Sequence, residues 1–275
     1  MAQKIPTFYF LYVKAKVYWG FACRIIPFGK SRITLKMPPP STLIGALAYP
    51  LARLKDWTEV VMERKVKLSG ANRILNFISS AHAKMDFIPL VRGDLSRVYW
   101  YYVLRKEVKT DAVALEKVYV NPLPGKADSI IEMIYLIDQD KAEKTLGSEW
   151  LNLLEACAWA ISRIGQKEGM ISVSDVRLSK AGLIKDGEVM TRFYFPLEAC
   201  SEMPVGSWIQ ETFVDVWETG MGDYSGGRSI TFAIPFSSIE QKPVDVNVKL
   251  SDRGVAMNCD GRIVVTLKRW LGYER

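Results

Sequence analysis

The residues best suited to chemistry lie in and around Met37–Leu47, Met-Pro-Pro-Pro-Ser-Thr-Leu-Ile-Gly-Ala-Leu. Three prolines cannot extend a helix or feed a sheet ladder, whereas Ser41 offers a side-chain cap and helix formers follow it. The spacing therefore predicts a helix over Ser41–Leu54. Its first turn leaves backbone N–H groups unpaired at the positive end of the helix dipole, with the Ser41 and Thr42 hydroxyls beside them, and that combination suits a phosphate. Directly upstream runs the basic loop Arg24-Ile-Ile-Pro-Phe-Gly-Lys-Ser-Arg32, which brings Arg24, Lys30, Ser31 and Arg32 and is followed by Lys36. An anion site built from a basic loop and a helix start is one reading. A capped helix behind a solvated loop is the other.

Further stretches carry related chemistry. Arg163-Ile-Gly-Gln-Lys-Glu-Gly169 places Arg163 and Lys167 at the expected end of a helix; cations are favourable there in any case, and beside the first strand they would extend a basic surface. Tyr99, Trp100, Tyr101 and Tyr102 follow one another in a strand-like run, so two face each way. One side, for which Tyr99 and Tyr101 are the candidates, can stack on bases while the other packs. The cluster Gly220-Met-Gly-Asp-Tyr-Ser-Gly-Gly-Arg228 superficially matches a dinucleotide fingerprint, but Ser-Ile-Thr-Phe-Ala-Ile after it is strand-like, so the required helix start is missing. It reads as a hairpin loop, or as a loop whose backbone approaches RNA or a partner subunit with Arg228 at its edge.

Catalytic and metal chemistry is thinly supplied. His82, the one histidine, has no visible triad or metal partner and reads as structural or exposed. Asp138 and Asp140 stand at a helix start, where capping accounts for them. Cys23, Cys157, Cys200 and Cys259 form no C-x-x-C pair, which argues against a zinc site and a disulfide framework and suits a reducing cytoplasm. No catalytic residue, metal or cofactor is expected.

The elements that position these groups follow from composition and period. The 275 residues are 49% hydrophobic and 24% charged, as in a globular chain. The most apolar run, Phe8–Val13, is cut by Lys14 and Lys16, so no membrane span or secretory segment is expected. A net charge of +7 makes a polyanionic partner plausible, the more so because cations cluster around residues 14–36, 92–109 and 163–180.

Thr7–Tyr18 alternates as a strand. Tyr9, Leu11, Val13, Ala15 and Val17 form a core face, while Phe8, Phe10, Tyr12, Lys14, Lys16 and Tyr18 either meet RNA or are covered by other chain. After the first helix, Asp56–Lys67 carries no firm signal and Arg73–Ser80 reads as a strand. Arg97–Lys109 and Ala112–Val120 form a hairpin turning at Thr110-Asp111, Ser129–Ile137 is a strand, Asp138–Ile164 an amphipathic helix, and Met170–Leu178 a strand. That order fits a β-α-β-β-α-β ferredoxin-like unit with an enlarged hairpin. From Ala181 only strands are expected, at Val189–Phe195, Trp208–Trp217, Ser229–Ile234, Val244–Leu250 and a hairpin Val255–Leu267 turning at Asp260-Gly261.

The run Lys36-Met-Pro-Pro-Pro-Ser-Thr-Leu-Ile-Gly-Ala-Leu47, behind a strand and a basic loop, resembles the signature of the Cas-five family, the RAMP subunit of type I CRISPR Cascade complexes. Arg163–Gly169 before a strand resembles that family's second recurrent segment, especially in its archaeal type I-A branch. The resemblance implies an α+β fold. A ferredoxin-like (RRM/RAMP-type) domain would span residues 1–180, with a protruding β-hairpin thumb at about 97–137, and a β-rich C-terminal region would span 181–275. It further implies a noncatalytic CRISPR RNA-binding subunit in antiviral defence, one that holds the 5′ handle of the RNA and caps the Cas-seven backbone. The large Cascade subunit of the Cas-eight type would be its neighbour and target DNA a further candidate partner. The RNA-binding set is then Arg24, Lys30, Ser31, Arg32, Lys36, Ser41, Thr42, Tyr99, Tyr101, Arg163, Lys167 and Arg228. The alternatives are a metal-independent endoribonuclease that processes precursor CRISPR RNA with His82 and a lysine or tyrosine, and a purely protein-binding scaffold.

Overall fold

The computed structural model describes residues 6–24, 33–63, 66–102, 105–185, 187–222, 224 and 227–273, with side chains at 63, 66–67, 95–102 and 109–115 outside that description. The main elements are β1 (Phe8–Val17), α1 (Pro40–Leu54), β2 (Ile78–Tyr102), β3 (Glu107–Pro122), β4 (Ser129–Asp138), α2 (Gln139–Leu146), α3 (Trp150–Trp159) and β5 (Ile171–Lys180). They continue with β6 (Trp208–Val214), β7 (Ser229–Ser237), β8 (Gly254–Cys259) and β9 (Arg262–Leu267). One six-stranded sheet runs in the order Gly20–Phe21, β3, β2, β4, β1, β5, antiparallel at every rung. The class is α+β, as expected.

The alternation of β1 decides what covers the sheet. Leu11, Val13, Ala15 and Val17 pack with Leu43, Ile44, Leu47 and Leu51 of α1 and with Trp150, Leu154 and Cys157 of α3. On the opposite face Phe8, Phe10 and Tyr12 are buried beneath Phe193, Val255, Met257, Val264 and Leu271 from the C-terminal part. Covering by the chain is therefore correct for Phe8, Phe10 and Tyr12, which do not offer a stacking surface, whereas Tyr18 at the end of that face is exposed. The Arg262 guanidinium lies 3.9 Å from the Tyr12 ring centroid. Burial, followed by the Glu132 charge, pushes the Tyr12 phenol to about 12.

Several boundaries differ from expectation for local reasons. The β2–β3 hairpin does not turn at Thr110-Asp111, which lie inside β3 opposite Tyr99 and Val98. The chain reverses around Arg105–Lys106, where Lys106 takes φ +47°. Both favoured two-residue hairpin turns need positive φ at the first central position, and β-branched Thr110 resists it. β2 begins at Ile78, while the expected strand over Arg73–Ser80 is partly a helical turn, Asn72–Leu75. Asp56–Lys67 contributes to a small hairpin of Val60–Glu63 with Val66–Ser69. The long helix over Asp138–Ile164 is two helices separated at Gly147, which takes φ +91°, and the second ends at Trp159. Asp138 caps the first, its Oδ1 accepting the Lys141 N–H at 3.1 Å, the role its position suggested. α1 starts at Pro40 behind Pro39 and has no side-chain cap, so Ser41 is not the capping residue.

In the C-terminal part the strands are shorter or shifted: Glu188–Thr191 and Phe195–Pro196 replace Val189–Phe195, Val246–Lys249 replaces Val244–Leu250, and β6 stops at Val214 before a helical turn, Val216–Thr219. β8 and β9 turn at Asp260-Gly261 as expected, both residues having positive φ. This part is stitched to the large sheet at several points: the Trp217 Nε1–H donates to the Ile78 carbonyl at 2.7 Å, and the Tyr194 N–H donates to that of Ala83 at 3.0 Å.

Phe10 is 1% exposed, so its loss opens a cavity between the sheet and its cover. Phe10→Ala should destabilise the protein by about 3–5 kcal/mol in denaturant unfolding. A change below about 0.5 kcal/mol, typical of a surface position, would show that the face is open.

Candidate nucleic-acid interface

The basic loop is closed at its root by a short ladder. Arg24 and Thr34 form an antiparallel bridge, the Leu35 N–H donates to the Cys23 carbonyl at 2.8 Å, and the Thr34 hydroxyl accepts the Cys23 N–H at 3.1 Å. Two carboxylates from distant parts of the chain hold the returning strand. Glu116 Oε2 of β3 accepts the Thr34 N–H at 3.1 Å, and the Glu211 carboxylate of β6 accepts the N–H groups of Lys36 and Met37 at 2.6 and 3.2 Å. Arg24 and Lys36 are exposed at the two ends of the loop. Lys30, Ser31 and Arg32 lie outside the described residues.

The start of α1 is poorer in donors than the sequence suggested. Pro40 has no N–H, and the Thr42 and Leu43 N–H groups already donate to the Pro39 carbonyl at 2.9 and 3.2 Å. The Thr42 hydroxyl donates to Cys23 Sγ at 3.6 Å. An anion here would therefore rely on side-chain cations rather than on a fan of free amides.

Those cations arrive from the segment after α3. The Ile164 N–H donates to the Gly169 carbonyl at 2.8 Å and Arg163 pairs with Met170, which folds Arg163–Gly169 into a tight loop. Gly165 takes φ +72°, and a Cβ there would stand 2.8 Å from the Ala22 carbonyl oxygen, so only glycine lets this loop lie against the first strand's continuation. The result is a cleft of about 530 Å³ bordered by Arg24, Thr42, Gly165 and Lys167. A second cleft of about 270 Å³ shares Thr42 and Gly165 and is bordered by Gly45, Tyr49 and Arg163. The Arg163 and Arg53 guanidinium groups lie 4.8 and 5.3 Å from the centroid of the exposed Tyr49 ring.

Arg24, Thr42, Arg163 and Lys167 are thus brought together. Tyr99 and Tyr101 sit in the distal part of β2, their side chains outside the description. Arg228 is elsewhere, its guanidinium held by Glu198 at 3.0 Å and Glu218 at 3.1 Å. Tyr49 and Arg53 were missed, although their spacing of four on α1 is a readable signal. Glu116 and Glu211 were also missed and carry no local signal, because their partners are remote in sequence.

The remaining reactive groups are enclosed. His82 is fully buried with Nδ1 3.1 Å from the Tyr194 carbonyl oxygen and Nε2 3.0 Å from Ser80 Oγ, and burial lowers its pKa to about 4. Burial pushes the Cys23, Cys200 and Cys259 thiols to about 12 and Cys157 to about 11. Among the described residues no three His, Cys, Asp or Glu side chains gather in a metal-binding group, and no helix is long and apolar enough to cross a membrane.

No protein-family model matches the chain. Two curated proteins of Saccharolobus solfataricus do. CRISPR-associated protein Cas5 3 is 27% identical over 237 residues, covering 85% of this chain and 91% of the relative. CRISPR system aCascade subunit Cas5 1 is 27% identical over 243 residues with the same coverage. The chain is a homologue of these Cas5 proteins. A crystal structure of a CRISPR protein from Archaeoglobus fulgidus, 20% identical, superposes with a TM-score of 0.61 over 94% of this chain and 99% of that one, so the fold is shared. The Cas5 resemblance read from Lys36–Leu47 and Arg163–Gly169 is borne out, and those two segments lie side by side across Thr42 and Gly165.

Burial, opposed by the two backbone N–H groups, raises Glu211 to about 7, so this acid and His82 titrate in opposite senses. The folded chain binds the Glu211 proton more tightly than the unfolded chain, so this group's stabilisation is lost as pH rises through 7. The unfolded chain binds the His82 proton more tightly, so that contribution is lost as pH falls from about 6.5 toward 4. Relative to wild type, the unfolding free energy of Glu211→Gln should climb with pH between 4.5 and 7, on the order of 1 kcal/mol per unit, and that of His82→Gln should fall between 4 and 6.5. Parallel profiles for all three proteins in urea titrations would refute both assignments.

Proposed function

We propose that the chain is a noncatalytic CRISPR RNA-binding subunit of a type I Cascade effector complex, of the archaeal type I-A branch, holding the 5′ handle and capping the Cas-seven backbone beside a Cas-eight-type large subunit. The observation that carries the reading is the convergence of Arg24, Thr42, Arg163 and Lys167 on one pair of clefts in a homologue of Cas5 proteins, one of them named as an aCascade subunit. Cations set around a groove with an exposed aromatic suit the phosphates and bases of a single strand.

The sheet order supports the architecture that goes with this role. The order β2, β4, β1, β5, with α1 and α3 on one face, supports the ferredoxin-like reading, and the long β2–β3 hairpin supports the reading of a thumb. The enclosure of His82 supports the noncatalytic reading, since a base buried between Ser80 and Tyr194 has no route to a ribose hydroxyl.

The test is a filter-binding titration of 5′-handle RNA against salt. Arg163→Gln and Lys167→Gln should each weaken binding, and each should lower the slope of log K against log salt by about 0.7 if one phosphate contact is lost. Lys242→Gln, in the β-rich C-terminal part and outside the lining of both clefts, should change neither. Equal behaviour of all three variants would remove these residues from the interface.

A further inference from the structure

We infer that Gly45 keeps a nucleobase-sized cleft open between α1 and the Arg163–Gly169 loop, and that a single unpaired base of the bound strand seats there. The identity of the strand rests on the proposed function; the open space at Gly45 does not. Two glycines border this cleft, and they are glycine for different reasons. Gly165 is required by its backbone, with φ +72° and the Ala22 carbonyl oxygen 2.8 Å from where a Cβ would stand. Gly45 lies inside α1, and a Cβ there would meet nothing within 4 Å. Glycine in a helix interior is destabilising relative to alanine, so neither backbone geometry nor packing accounts for it at position 45. It leaves a space that the fold itself does not fill.

The walls of that space suit a base. Gly45, Ala46 and Ala160 offer apolar sides to the faces of a ring, and Ser162 and Arg163 offer polar groups to its edge. The Arg163 guanidinium lies 4.8 Å from the Tyr49 ring centroid, and among the described residues no carboxylate pairs with it. Bases of single strands stack on guanidinium planes as they do on aromatic rings, and the fork of N–H donors matches an acceptor edge. At about 270 Å³ the cleft is smaller than the pockets of about 300–1,000 Å³ that take drug-sized ligands, which fits one ring system and not a whole nucleotide. The neighbouring cleft of about 530 Å³, bordered by Arg24 and Lys167, shares Thr42 and Gly165 with it. A base seated in the first therefore leaves its phosphate beside the cations of the second.

Gly45→Ala and Gly45→Met in the full chain separate ligand space from structural need. Both should raise the urea midpoint of unfolding, because each puts a better helix former into open space. Gly45→Met should nevertheless bind 5′-handle RNA about tenfold more weakly than wild type, and Gly45→Ala should lose affinity in the same direction by less. A variant that is more stable and binds more weakly cannot be explained by damage to the fold. A lower midpoint for Gly45→Ala would show that the position is packed, and wild-type affinity for Gly45→Met would show that no ligand enters. Either result would overturn the inference.

Single abasic nucleotides placed along the handle then identify the seated base. In wild type, removal of that one base should weaken binding about tenfold, the scale of a single lost stacking contact. In Gly45→Met the same abasic RNA should cost little further affinity, because the two changes remove one contact. Equal losses in both proteins at every position would overturn the inference and leave the proposed function standing. A wild-type chain that bound no handle RNA would instead overturn the proposed function, and the seated base with it.

Discussion

The edge of the cleft depends on two carboxylates that accept hydrogen bonds from the chain's own backbone. Glu116 and Glu211 take the backbone N–H groups of Thr34, Lys36 and Met37, and they come from the long hairpin and from the C-terminal sheet respectively. A basic loop repels itself, and a proline run cannot donate to hold its own exit. Acceptors from outside supply what the local sequence cannot, and they turn an irregular connection into a fixed edge of the cleft. Charge-assisted bonds of this kind are stronger than neutral ones.

The same logic explains why the C-terminal part is structural as well as a surface. It covers Phe8, Phe10 and Tyr12, so these aromatics of β1 are enclosed. It also carries an ionic cluster that runs from a buried acid to the surface: Asp215 is fully buried and accepts from Trp217 N–H, Trp270 Nε1–H and Arg269, while Arg269 and Arg228 share Glu198 and Glu218. Arg228 belongs to that cluster. The glycine cluster before it is docked on the turn at Asn72, whose side-chain amide donates to the Met221 carbonyl and accepts the Met221 N–H.

Much of this was legible in the sequence where periodicity is strong. The faces of β1, the start of the α1 region, the strand over Ser129–Asp138 and the Asp260-Gly261 turn all follow from local patterns. The misses share a cause. Thr110-Asp111 looked like a turn because polar residues interrupt a strand, yet strand pairing carries them along. Apolar residues at three- and four-residue spacing concealed the break at Gly147, since Leu146 and Trp150 keep the stripe in phase across it. At the candidate site the cations were visible as clusters, and so was the glycine loop that carries Arg163 and Lys167. What sequence could not reveal was that Thr42 spends its hydroxyl on Cys23, or that Glu211 reaches back to Lys36. Those are products of tertiary contact, and no local rule encodes them.

The central claim is that one cleft, between the root of the basic loop, the first turn of α1 and the Arg163–Gly169 loop, holds the proposed RNA. Photo-crosslinking of 5′-handle RNA to the full chain, with the crosslinked peptides read by mass spectrometry, tests it most directly. The account predicts crosslinks in the peptides that contain Arg24, Tyr49 and Arg163–Lys167. Crosslinks confined to the strands Glu188–Thr191 and Val246–Lys249, with none at those three places, would contradict it.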